Sequence, residues 1–244
     1  MSNLIQSVNG YFGENMARIQ DACPNVKVNE AVMDVCQVIS NNSKLQLCSP
    51  ASIVGAVITA SRLGVSLDPN MKHAYLIPYG KVAKLEVSYM GLIDVASRLG
   101  NITISAHEVF SNDIFEPKLG AKKELNHVPV CFGDRGILVG VYAIAYLSDG
   151  TIDFETLDME ELNKCRQVSK NPNGSVYKLW EKEMYKKSAI RRLFKRLPKN
   201  KEIALVSSFD EKQSIGEDTS DFYDIDGVEI PVEQSAADKL NELT

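Results

Sequence analysis

The chain has 244 residues, 44% hydrophobic and 24% charged, with a formal net charge of −5. That is enough apolar material for one large domain or two small ones with a buried core. It contains no run of about 18 apolar residues, which excludes a transmembrane helix of the usual kind.

The opening stretch MSNLIQSVNGYFGENMARIQ lacks the basic and apolar regions of a secretory signal, so a cytoplasmic protein is expected. Five scattered cysteines (Cys23, Cys36, Cys48, Cys131 and Cys165) are odd in number and show no CxxC pair. They argue against a disulfide framework or a zinc site.

The first 45 residues read as helical. Val28, Val32, Val35, Cys36 and Ile39 recur at helical spacing and define one buried face. In LCSPASIVGAVITASRLG, Ser49 suits an N-cap, Pro50 the first helical position and Gly64 the position after the last turn. Ile53, Val54, Val57, Ile58 and Leu63 make the apolar stripe of that helix.

Asp68-Pro69-Asn70 is a turn signal, and two alternating runs follow it. In the first, Ala74, Leu76 and Pro78 face one way and His73, Tyr75, Ile77 and Tyr79 the other. In the second, Ala83, Leu85, Val87 and Tyr89 oppose Val82, Lys84, Glu86 and Ser88. Gly80-Lys81 joins them, which is the pattern of a β-hairpin. A helix is predicted from about Met90 to Leu99, with Gly100 just beyond its last turn.

Residues 101–156 read as strands, at Ile102–Ala106, Val128–Phe132, Ile137–Leu147 (a central strand) and Ile152–Phe154, with a turn at Gly133–Gly136. A helix begins at Asp158. After NPNG, Ser175 is expected to cap a long helix that runs to about Leu197 and stops at Pro198. Short connections favour an antiparallel sheet. The fold class is α+β, with a hairpin and sheet packed by helices, a long basic helix near the C-terminus and an acidic, flexible tail.

Charge is most informative when divided along the chain. Residues 1–163 carry 12 basic and 18 acidic residues, 164–201 carry 13 and 2, and 202–244 carry 2 and 12. The middle block points to an anionic partner. Within the long helix, Leu179, Trp180, Ile190, Leu193, Phe194 and Leu197 fall on one arc that is predicted to pack inward. Lys187, Arg191 and Lys195 form one ridge beside it and Lys178, Lys182 and Lys186 a second, with Arg192 and Arg196 on the outer face between them.

No acid offsets the eight bases from Met184 to Lys201, so helix stability alone does not account for them. A membrane surface would require the apolar arc that the fold needs, and no GxxxxGK[ST] offers a nucleotide loop. Ridges of Lys and Arg suit a nucleic-acid backbone. Tyr75 and Tyr79, on one hairpin face near Lys81 and Lys84, are candidates to stack on unpaired bases, with Tyr89, Tyr177 and Tyr185 as further candidates.

Three stretches carry a family resemblance: SPASIVGAVITASRLGVSLDPNMKHAYLIPYG, SYMGLIDVASRLG and SVYKLWEKEMYKKSAIRRLFKRLP. Over about residues 45–200 the chain resembles the RecT family of phage and prophage single-strand annealing proteins. The resemblance implies an α+β fold that binds single-stranded DNA, pairs it with a complementary strand into a duplex without ATP, and needs no cofactor. It implies assembly into a ring or helical filament, in a bacterial cytoplasm. A phage 5′–3′ exonuclease and the host single-strand binding protein are its expected partners, met through the C-terminal region.

The DNA-contacting residues expected here are Lys178, Lys182, Lys186, Lys187, Arg191, Arg192 and Lys195 from the helix, and Lys81, Lys84 and Tyr79 from the hairpin, with Tyr79 placed to wedge between bases. The expected organisation is a helical region at 1–45 making subunit contacts, a DNA-binding core at 46–201 and an acidic, partner-binding tail at 202–244.

Two alternatives stand beside this reading. One is a passive single-strand DNA-binding protein. The other is a metal-dependent nuclease, which needs clustered carboxylates. Asp94, Glu108, Asp113 and Glu116 are its candidates, but they lack the D-x-D or E-x-K spacing of a metal pair, and His107 and His127 have no partner pattern.

Overall fold

The computed structural model describes residues 3–23, 27–169, 171–215, 217, 219 and 222. The chain forms two compact units: Met1–Gly91 with Leu205–Thr244, and Leu92–Ala204.

In the first unit, α1 (Asn3–Ala22), α2 (Val28–Ser40) and α3 (Pro50–Leu63) pack together, with a short 3-10 turn at Leu45–Leu47 between the last two. Helix α2 buries Val28, Val32, Val35 and Ile39 of the predicted row, and Cys36 is half-buried. Helix α3 starts as read: the Ser49 side chain accepts a hydrogen bond from the Ser52 N–H, and Gly64 closes the helix in the left-handed region at φ 66°.

Strands β1 (Ala74–Tyr79) and β2 (Val82–Val87) form the antiparallel hairpin, with Tyr79 opposite Val82. The two-residue loop between them needs a positive φ, which Gly80 supplies at 61°. The buried face, Ala83, Leu85 and Val87, lies against α3. Two hydrogen bonds pin the hairpin to the start of that helix, from Ser49 N–H to the Lys81 carbonyl (2.8 Å) and from Ala83 N–H to Ser52 Oγ (3.0 Å).

Helix α4 spans Tyr89–Gly100. At Gly91 a side-chain carbon would come within 2.3 Å of the His73 carbonyl oxygen, so only glycine fits. The left-handed residue after α4 is Asn101 (φ 50°), not Gly100 as expected.

The second unit is built on a three-stranded antiparallel sheet in the order β3-β6-β7, of Thr103–Phe110, Leu138–Tyr146 and Ile152–Asp158. The apolar run at 137–147 takes the central position predicted for it. One face gathers Val109, Tyr142, Ile144 and Phe154. Phe115 and Leu125 of the hairpin β4 (Ile114–Lys118) and β5 (Glu124–Val128) cover it.

The opposite face of the central strand carries Val141, Ala143 and Ala145, with Glu155 and Asp153 as the β7 partners of the two alanines. Small side chains there let α6 (Ser175–Phe194) lie across the sheet. The expected strand at Val128–Phe132 ends at Val128. Pro129 has no N–H for a ladder, and Phe132 stands in solvent. Helix α5 (Met159–Gln167) is capped by Asp158, whose carboxylate accepts from the Glu161 N–H at 2.9 Å.

Helix α7 (Lys201–Ile215) continues where the tail was expected to begin. Its Ile203, Val206 and Phe209 are buried, and Phe222 packs edge-on against Phe209 at 5.1 Å. The Arg62 guanidinium donates to the Phe222 carbonyl at 2.8 Å, tying this segment to the first unit. The segment expected to be flexible therefore starts with ordered, core-forming residues, while 223–244 lie outside the described residues.

Candidate nucleic-acid interface

Helix α6 begins at Ser175 with Gly174 at its cap, so Ser175 is the first helical residue and its side chain caps nothing. The helix is broken at Trp180, whose backbone (φ −130°, ψ 35°) is not helical. Downstream of the break the predicted arc holds, with Ile190, Leu193, Phe194 and Leu197 buried.

Upstream the arc fails, and Leu179 and Trp180, expected inside, are 73% and 61% exposed. Tyr177 and Tyr185, expected as stacking candidates, are buried in their place. Arg166 of α5 packs where the exchange occurs. Its guanidinium lies over the Tyr177 ring at 5.2 Å and donates to Glu181 Oε1 at 2.6 Å and to the Pro172 carbonyl at 2.8 Å. Tyr185 donates its hydroxyl to the same Glu181 oxygen at 3.1 Å.

The bases of α6 divide by their partners. Lys178 and Lys182 are exposed. The Lys182 ammonium sits 4.9 Å from the centroid of the Phe110 ring, which also carries the Arg135 guanidinium at 4.2 Å. Lys186 is half-buried between Glu183 (2.7 Å) and Glu108 (3.2 Å). Burial works against its charge, but the two carboxylates overcome burial and hold its pKa above the ordinary lysine value. Glu108 and Phe110 both lie at the C-terminal end of β3, so one strand end fixes Lys186 and Lys182 together.

Lys187, Arg191 and Lys195 are half-buried along the other ridge. Arg192 and Arg196 do not look out unopposed as the linear sequence suggested. Arg192 donates to Glu161 at 2.8 Å, and Arg196 to Glu155 at 2.6 Å and Asp153 at 2.9 Å. The balancing acids come from β7 and α5.

In the first unit the outer hairpin face carries Tyr75 and Tyr79, 43% and 40% exposed, with Lys81 and Lys84 exposed beside them. The Lys84 ammonium lies 5.9 Å from the Tyr79 ring centroid. Positive charge beside an accessible ring suits a strand with unstacked bases.

The carboxylates weighed for a nuclease have other partners. Asp94 pairs with Arg98 (2.8 Å), and Glu116 accepts from Asn126 (3.1 Å). Asp113, its side chain wholly enclosed, accepts from Arg135 at 2.6 and 3.1 Å and from the Phe110 and Val130 N–H groups, with His127 at 3.3 Å. Arg135 foremost holds that carboxyl well below the usual range. Among the described residues no group of three His, Cys, Asp or Glu side chains is arranged to hold a metal ion, and no helix is long and apolar enough to cross a membrane.

Sequence reasoning missed Glu108 and Phe110 as supports of the basic ridge, and Trp180 as an exposed residue. The last was marked by a conflicting row: Tyr177, Glu181 and Tyr185 repeat at i, i+4, i+8 and compete with Leu179 for the inward face.

Comparison with known proteins places the chain in a family. The sequence profile of the RecT family matches residues 29–223. Protein RecT of Escherichia coli (strain K12) is 37% identical over 183 residues, which cover 71% of this chain and 68% of that protein. An uncharacterized protein of Bacillus subtilis (strain 168), YqaK, is 26% identical over 74 residues, 30% of this chain and 26% of its own length. The chain belongs to the RecT family and is a single-strand annealing protein of DNA recombination.

Proposed function

We propose that this protein holds one DNA strand by its phosphates on the exposed lysines of α6 and leaves the base edges open for a complementary strand. The observation that supports this most is the division of charge on α6. Lys178 and Lys182 are exposed, Lys182 over Phe110 of β3, whereas Arg192 and Arg196 are matched by acids. Lys187, Arg191 and Lys195 add positive potential along the other ridge, and Lys186, held between Glu183 and Glu108, closes the end of the Lys178 and Lys182 ridge. Arg192 serves the packing of α5 and β7 instead of the strand.

Lys81 and Lys84 make a second phosphate contact, and Tyr79 meets a base. Watson–Crick pairing supplies sequence specificity, so no side chain needs to read base edges. Neutralising both strands removes their mutual repulsion, which lets annealing proceed without ATP or bond cleavage. Assembly of copies into a ring or filament extends the held strand. Residues 202–244, with 12 acidic and 2 basic residues, are the proposed contact for a 5′–3′ exonuclease and a single-strand binding protein.

The test is a Lys178→Ala/Lys182→Ala chain, followed by single-strand binding across a salt series. Each lost phosphate contact lowers the slope of log affinity against log salt by about 0.7. An unchanged slope would remove α6 from the interface. A passive coat protein would show the same binding but would not speed pairing of complementary strands.

A further inference from the structure

We infer that Trp180 is a stacking platform for one unpaired nucleobase of the strand whose phosphates Lys178 and Lys182 hold. The inference rests on the phosphate-holding role of α6 and adds to it a contact with the bases themselves.

Three observations carry it. First, an uninterrupted helix, at about 100° per residue, would place Leu179 in the buried row with Ile190, Leu193 and Leu197. The break at Trp180 instead turns Tyr177 inward and presents Leu179 and Trp180 to solvent, so the largest apolar side chain of the helix is placed outside.

Second, the turn that presents it is tied down. Arg166 holds the upstream turn at Pro172, Tyr177 and Glu181, and the Tyr185 hydroxyl closes on the same Glu181 oxygen. A turn held before binding loses little freedom on contact.

Third, its neighbours select the ligand. Lys178 and Lys182, two residues before and after it in the sequence, are exposed, and Lys182 is steadied over Phe110. An exposed aromatic side chain on a turn that also exposes two lysines suits an aromatic group strung on an anionic backbone, which is the chemistry of single-stranded DNA.

Trp180 is the one tryptophan of the chain, so its emission reports this site alone. The full-length protein is titrated with oligothymidylate while tryptophan emission and the anisotropy of a labelled oligonucleotide are followed in parallel. Quenching that saturates together with anisotropy is expected. Trp180→Ala should weaken binding about 5- to 150-fold, the range for one base–aromatic stack. Its salt slope should match wild type, because no charge is removed, and Trp180→Phe should recover most of the loss.

Binding seen by anisotropy without a change in emission would overturn the inference and leave the phosphate-holding role intact. Wild-type affinity in Trp180→Ala would overturn it too. If that variant also sediments as a smaller species, the tryptophan belongs to a contact between copies. Absence of any binding by the wild-type chain would remove the phosphate-holding role, and this inference with it.

Discussion

Arg192 donates to Glu161 across 2.8 Å, from the basic helix to the first turn of α5. The Glu161 carboxylate raises the Arg192 pKa further above its ordinary value. The contact therefore matches Arg192 with an acid of the same unit. Both partners are about two-fifths exposed, so Arg192→Ala should cost no more than about 1 kcal/mol in urea denaturation. It should lower single-strand affinity less than Lys182→Ala does. A larger affinity loss at Arg192 than at Lys182 would mean that the pair opens for DNA.

The break at Trp180 makes a paired prediction. Leu193 is wholly buried and Leu179 is mostly exposed. Leu193→Ala should destabilise by about 2–5 kcal/mol, and Leu179→Ala should stay within about 0.5 kcal/mol of wild type. Comparable losses at both sites, measured by thermal and urea unfolding, would restore the continuous helix.

Asp113 gives the second unit an acid limit. Arg135 first, then the Phe110, Val130 and His127 hydrogen bonds, pull its folded pKa below the unfolded value of about 3.9. The ionised carboxylate thus contributes stability that is fully present above the unfolded pKa and is lost as pH falls through the folded one. Urea midpoints should be flat above about pH 5 and fall steadily below about pH 4. Asp113→Asn should lose about 3 kcal/mol at neutral pH, because it strips Arg135 of its counter-charge, and should show a shallower acid decline. An equally steep decline in the variant would place the acid-sensitive group elsewhere.

The hairpin offers a test independent of α6. Lys81→Ala and Lys84→Ala remove exposed charges without touching the buried Ala83–Leu85–Val87 face. Melting temperature should be unchanged and single-strand affinity should drop, with a salt slope smaller by about 0.7 per lysine. Tyr79→Ala should weaken binding with an unaltered slope.

Much of this architecture was legible in the sequence because local signals agreed with one another. Ser49, Pro50 and Gly64 mark both ends of α3, the alternation on either side of Gly80-Lys81 fixes the hairpin register, and the apolar run at 137–147 declares a central strand. Reading failed where contacts distant in sequence decide the outcome. Glu155 and Glu161 reach Arg192 and Arg196 only once β7 and α5 fold against α6, so an unopposed charge run was an artefact of linear order. The helical period at Leu179 likewise gives way where Tyr177 packs under Arg166 of α5. Phe209 and Phe222 look isolated in an acidic stretch until they meet across 5.1 Å.

The most direct test of the central claim is an annealing assay with two complementary labelled oligonucleotides and no nucleotide triphosphate, run with and without magnesium and over a range of salt. The account predicts faster duplex formation, full recovery of both strands, and a log–log salt slope for single-strand binding of roughly −3.5 per subunit if about five phosphates are neutralised. Tight, salt-sensitive binding without acceleration would make the protein a passive coat. Loss of strand with magnesium would make it a nuclease and would contradict the account.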